Sequence, residues 1–211
     1  MDGFNFLFEA FILLVGLAMA EVLSGFARVL KLRARRKAGI DPAASAIRIG
    51  WLVPLLGLLV IIDQSTFFLH MYGLRDHLIF NAASVLGILF VIGWYYLVAS
   101  LTFPDEPADW PDFDVWYWQQ KRWVLGGVLG INIVSIVATQ FIVPMAAQQK
   151  MVEGMSPGMM LANGVVLLLF FPALIWLMFT RRPRVNLALL VLLITVSVGF
   201  AVITAKLPTP G

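Results

Sequence analysis

Cysteine is absent from all 211 residues, which excludes disulfides and thiolate metal sites and leaves the redox compartment undetermined. Histidine is nearly absent, the only two being His70 and His77. Two imidazoles cannot ligate two b-type haems in bis-histidine fashion, nor build a three-histidine zinc site. Charge is scarce, at 13% of residues. No lysine falls in the middle of an apolar run, so a retinal-type Schiff base has no anchor. Phosphate-loop, G-x-S-x-G and H-E-x-x-H patterns are missing as well. No cofactor and no metal are expected; the one metal arrangement left open is a mixed site from His70, Asp63 and Glu9.

What the chain has is apolar length. Hydrophobic residues make up 61% of it, and its mean hydropathy is +0.90. A water-soluble core of this size cannot absorb that much apolar surface. Crossing about 30 Å of hydrocarbon takes roughly 20 helical residues, and six blocks reach that length: 5–27, 50–71, 79–101, 123–145, 159–179 and 185–205. Short connections join them, leaving no soluble domain. The fold class that follows is an all-α integral membrane protein, a single transmembrane domain of six helices over 1–211.

Lysine and arginine in the short loops orient such a chain. With the N-terminus outside, the inner segments hold Arg28, Lys31, Arg33, Arg35, Arg36, Lys37, Arg48, Lys121, Arg122, Arg181, Arg182 and Arg184, against Arg75, Lys150 and Lys206 outside. Both termini are thus expected outside. The expected location is a bacterial inner (cytoplasmic) membrane. The net charge of +3 then reflects contact with anionic headgroups at the inner face, not nucleic-acid binding. All seven tryptophans fall at or near the inner ends of the proposed helices, as an interfacial belt requires. The first ten residues carry Asp2 and Glu9 and no base, so the first run is expected to be a retained helix rather than a cleaved leader, despite Ala18-Met19-Ala20.

The first helix is expected to continue inward through Arg28–Lys37 to Gly39, where Asp41-Pro42 turns the chain. Arg28, Lys31 and Arg35 lie beyond the bilayer edge and form a lipid-contacting basic face, not a voltage sensor. Between the third and fourth spans, Asp105, Glu106, Asp109, Asp112 and Asp114 precede an aromatic run that ends in Lys121 and Arg122. Pro111 is placed to start a short interfacial helix with Phe113, Trp116 and Tyr117 on one face. The acidic loop can pair with the basic extension of the first helix. Pro54 and Pro172, each in the middle helix of a three-span half, are the only internal echo of an inverted repeat.

Gly126, Gly127 and Gly130 mark a helix-packing patch on the fourth span, with Asn132, Ser135 and Thr139 on the opposite side. Whether the glycines pack within one chain or between copies is open; a homo-oligomer or a membrane partner subunit is the expected company. Three carboxylates lie inside spans: Glu9, Glu21 and Asp63. Near a helix centre each costs about 2.5–3.5 kcal/mol, so each should be protonated, paired or water-facing. Glu21 and Arg28, two turns apart, are judged too distant to pair directly, with Arg48 the alternative partner. Asp63, Thr66 and His70 recur at three and four residues and share a helix face. Together with Glu9, Asn81, Gln140 and Asn163 they fit a polar cavity open to the outside, in which His70 relays protons to Asp63.

Two functional readings follow from different classes. One is a transporter or channel handling protons, an ion or a small polar solute through that cavity. The other is a non-catalytic accessory or scaffold subunit of a membrane assembly. A membrane enzyme of lipid or isoprenoid metabolism, using the acidic loop or the Asp63 stripe, is a third. Whether Asp63 is wet or dry separates the first two.

Overall fold

The computed structural model describes residues 3–39, 47–74, 77 and 81–206. The Asp41-Pro42 turn, Arg75, the start of the third span at Ile79 and the terminus at Gly211 lie outside them. Apart from one isolated bridge between Arg48 and Asp112, the described chain is helical: α1 Gly3–Ala38, α2 Leu52–Gly73, α3 Ala82–Ser100, α4 Phe113–Ile142, α5 Met145–Glu153, α6 Pro157–Phe179 and α7 Pro183–Lys206. All but α5 are long and apolar enough to cross a membrane. The chain is a polytopic, all-α membrane protein of six spans.

Local chemistry sets the helix limits. Asn81 accepts from Ser84 N–H at 2.8 Å, capping α3. Asp112 accepts from Asp114 N–H at 2.8 Å and caps α4. Pro111 therefore precedes the helix instead of opening it. The aromatic segment expected as a separate interfacial helix is instead continuous with the fourth span, because nothing between Phe113 and Trp123 breaks the 30-residue helix. Pro144 then ends α4 by restricting Val143. The residues after it, most of which lie in the connection expected between the fourth and fifth spans, form α5. In α6 the turn Val166–Phe170 widens to a π-helix just before Pro172, which lacks an N–H and whose ring crowds the preceding carbonyl.

The described parts of the α1–α2 and α3–α4 connections meet at one end of the bundle, the basic end. Arg48 N–H donates to Pro111 C=O at 2.7 Å and Phe113 N–H to Arg48 C=O at 3.0 Å. The Arg48 guanidinium reaches Asp112 at 3.5 Å, so Arg48 is not the partner of Glu21. Arg28 is: its guanidinium stands 3.5 Å from Glu21 and 3.3 Å from Ser24 Oγ. Side chains lean toward the helix N-terminus, which lets a long arginine span two turns. Arg28 also lies 4.0 Å from Asp105, tying the acidic loop to α1. Phe103, just past α3, plugs this end. It is buried against Gly25 and Gly57, where any Cβ would overlap its ring, and meets Phe26 edge-on at 4.9 Å.

The tryptophans divide. Trp51, Trp123 and Trp176 are exposed at the basic end, as a headgroup belt requires. Trp94 packs between helices: a Cβ on Gly130 would stand 2.9 Å from its ring, and one on Gly127 would overlap Val98. The glycine patch on α4 is thus filled by α3 of the same chain, while Gly126 faces Met178 of α6.

Candidate functional site

Asp63 sits midway along α2 and is only 5% exposed. Tyr95 Oη of α3 donates to Asp63 Oδ2 at 3.0 Å, and Asn132 Nδ2 of α4 donates to Oδ1 at 2.8 Å. Both carboxylate oxygens are therefore used as ties among three helices. Tyr95 is itself buried against Phe67, with ring centroids 4.9 Å apart. One turn and then another toward the end opposite the basic one, Thr66 stands level with Ser135, and His70 Nε2 meets Thr139 Oγ1 at 3.0 Å. Asp63 and Asn132, Thr66 and Ser135, and His70 and Thr139 are each 69 positions apart. A constant offset means that α2 and α4 run parallel in fixed register, with hydrogen bonds across the Asp63–Asn132 and His70–Thr139 rungs and the Thr66–Ser135 level between them.

This arrangement differs from the expected water-open relay. Thr66 Oγ1 donates to its own helix at Asp63 C=O, 2.9 Å away, and Ser135 to Ile131 C=O at 2.8 Å. No described hydrogen bond links Asp63 to His70. The other outer-half residues are engaged locally. Asn81 caps α3, Gln140 C=O accepts from Gln148 Nε2 at 3.3 Å, Asn163 Nδ2 approaches Met155 Sδ at 3.6 Å, and Glu9 is exposed on α1. Among the described residues no three His, Asp or Glu side chains gather to hold a metal ion, the His70, Asp63 and Glu9 set included.

A cavity among the described residues of this half is apolar. It measures about 340 Å³ and lies between Phe67 and Met71 of α2 with Leu74 just past its end, the Ala83–Val91 stretch of α3 and the Val134–Ile142 stretch of α4, with Phe11 of α1 also lining it. Ser84 and Ser135 bring its only hydroxyls. Small residues face each other here, and a Cβ on Gly87 would meet nothing within 4 Å.

A second polar network, at the basic end, was not anticipated. Lys121 is 3% exposed, yet its ammonium donates to Leu177 C=O at 3.1 Å, to Asn186 Oδ1 at 3.1 Å and to Thr180 C=O. Tyr117 Oη donates to the same Asn186 oxygen at 2.8 Å, and Asn186 Nδ2 returns to Thr180 and Arg182 carbonyls at 3.1 and 2.9 Å. Trp118 lies under the ammonium, 4.5 Å from ring to nitrogen. A lysine that gives two donors to backbone carbonyls at the end of α6 and the third to an asparagine side chain of α7 neutralises that helix end without any carboxylate. Only the lone asparagine in α7, an apolar helix, could have signalled it. Beside Asp63, Gln64 is fully buried, and among the described residues neither of its amide atoms has a hydrogen-bond partner.

Glu21 is placed in the Arg28 ion pair and thus serves the α1 surface. Gly127 and Gly130 belong to the α3–α4 contact. No protein-family model matches the chain, and neither does any curated protein or any solved structure.

Proposed function

We propose that this protein is a non-catalytic structural subunit of a membrane assembly, held in the bilayer with its basic end among anionic headgroups and both termini on the other side. The dry, doubly bonded Asp63 carries this reading. A group that moves protons or binds a passing solute must exchange partners with water. Asp63 instead spends both oxygens on Tyr95 and Asn132, which is how a costly carboxylate is made useful as an interhelix tie. The apolar lining of the neighbouring cavity supports the same reading, since it offers a polar solute almost nothing to bind.

The test is reconstitution into vesicles under a pH gradient. Proton flux should equal that of protein-free vesicles in both wild type and Asp63→Asn. Flux in wild type that disappears in Asp63→Asn would restore the transporter reading. The orientation is tested separately: a reporter near Gly39 should behave as cytoplasmic and one after Gly211 as exported. An exported signal at Gly39 would reverse it.

A further inference from the structure

We propose that Arg122 of α4 and Arg181 of the α6–α7 turn form a site for the phosphate of an anionic phospholipid at the basic end. Charge is divided unevenly there. On the α1–α2 side carboxylates answer the bases: Arg28 meets Glu21 and Asp105, and Arg48 meets Asp112. On the α4–α7 side, Lys121, Arg122, Arg181, Arg182 and Arg184 form no ion pair among the described residues. Cations gathered without a carboxylate repel one another, so an anion from outside supplies here what the acidic loop supplies to α1 and α2.

The Lys121 network positions the two arginines. Lys121 is bonded to Thr180 C=O, and Arg122 and Arg181 are the next residues along each chain segment; both act on the Lys121 ammonium at close range. Lys121 spends its own donors on Leu177, Thr180 and Asn186, so it contributes field and not a contact. Arg122 and Arg181 are exposed. The Arg122 guanidinium stands over the Phe179 ring, 5.7 Å from its centroid. Stacking fixes its plane and leaves its N–H edge free for two oxygens of a phosphate.

The rings decide which anion. Phe179 is 63% exposed and Trp176, one turn deeper in the span on the same side of α6, is 60% exposed. A ligand with hydrocarbon below its phosphate meets the arginines and these rings together, whereas inorganic phosphate or an acidic peptide would use the arginines alone. The proposal rests on the reading that the basic end lies among headgroups, and narrows it from diffuse contact to one site.

The experiment takes the whole protein from vesicles of equal parts phosphatidylcholine and phosphatidylglycerol into mild detergent and counts retained lipid by the mass of the intact complex. Wild type should keep phosphatidylglycerol over phosphatidylcholine by on the order of tenfold. Arg122→Gln combined with Arg181→Gln should reduce that preference to about twofold or less, while Arg35→Gln combined with Arg36→Gln, which removes equal charge from the exposed end of α1, should preserve it. If the first pair does not fold, Arg122→Gln alone repeats the test with about a fivefold loss. Equal loss in both pairs overturns the site and keeps the diffuse headgroup contact. No preference in wild type overturns both. Inorganic phosphate added during extraction should release no more phosphatidylglycerol than chloride of the same ionic strength; selective release by phosphate would overturn the assignment to a lipid.

Discussion

The seam between α3 and α4 is packed in two opposite ways along its length. Toward the basic end, Gly127 and Gly130 of α4 receive Val98 and Trp94 of α3, so small residues meet large ones and the helices close up. Toward the other end, Ala83, Ser84 and Gly87 of α3 face Ser135 and Ala138 of α4, so small residues meet small ones and a cavity remains. Glycine by itself decides nothing. Its effect depends on whether the facing residue can fill the room it leaves. The closed half continues into the Phe103 plug, the Arg48 bridge and the Lys121–Asn186 network, while the open half is held by the polar ladder between α2 and α4.

That contrast is broken most directly at the plug. Phe103→Ala should cost about 3–5 kcal/mol, because a buried ring held between two glycines leaves a cavity that the helices cannot close. At the other end, Phe141→Ala should stay within about 0.5 kcal/mol, since its ring is 85% exposed. Unfolding by dodecyl sulfate in mixed micelles measures both. Equal effects would mean that the two ends are not packed differently.

A smaller effect sharpens the seam itself. Gly130→Leu drives a side chain into the Trp94 ring and should cost about 1–3 kcal/mol by overpacking. The particle mass in detergent should not change, because the contact lies within one chain. Gly87→Leu, a formally identical substitution seven residues along the opposite end of α3 from Trp94, should not destabilise. A drop in oligomer size in folded Gly130→Leu would move the glycine patch to an interface between copies. Next comes Lys121→Met, which keeps the stem and removes three donors from Leu177, Thr180 and Asn186; about 1–2 kcal/mol is expected from carbonyls left short of partners. The same unfolding titration reads it, and no loss would mean that Asn186 and Tyr117 suffice to hold the α6–α7 turn.

Six spans were legible in the sequence because length and apolarity are set by the bilayer, and each block announces itself without its neighbours. The stripe of Asp63, Thr66 and His70 was equally plain, as was the one of Asn132, Ser135 and Thr139, since helical periodicity places each on a face. What could not be read was that the two stripes meet. Their common offset of 69 becomes meaningful only once α2 and α4 are known to be adjacent and parallel, and an interhelix pairing leaves no local trace. The polar cavity was therefore inferred where a tie exists. Lys121 misled for a similar reason: counted as a loop charge, it is buried because the aromatic segment runs straight into α4 and carries it under the end of α6. The Glu21–Arg28 pair was missed by measuring along the helix axis and neglecting the reach of a leaning arginine.

The smallest effects lie in the ladder, and they ask whether the open half is held chiefly at its floor or along its whole height. Interhelix hydrogen bonds within a membrane average about 0.6 kcal/mol and rarely exceed about 1.7 kcal/mol, because the separated helices also find partners. The Asp63–Asn132 rung should lie near the upper value: it is buried, involves a carboxylate and is braced by Tyr95. The His70–Thr139 rung should lie near or below about 0.6 kcal/mol, since His70 is exposed and its alternatives include water or a headgroup. Double-mutant cycles, Asp63→Ala with Asn132→Ala and His70→Ala with Thr139→Ala, isolate each coupling from the cost of truncation. The larger coupling should belong to Asp63. If the two couplings are equal, the outer rung holds α2 to α4 as firmly as the floor does. If the order is reversed, Asp63 is not the principal tie, and the reading of it as a structural group loses its support.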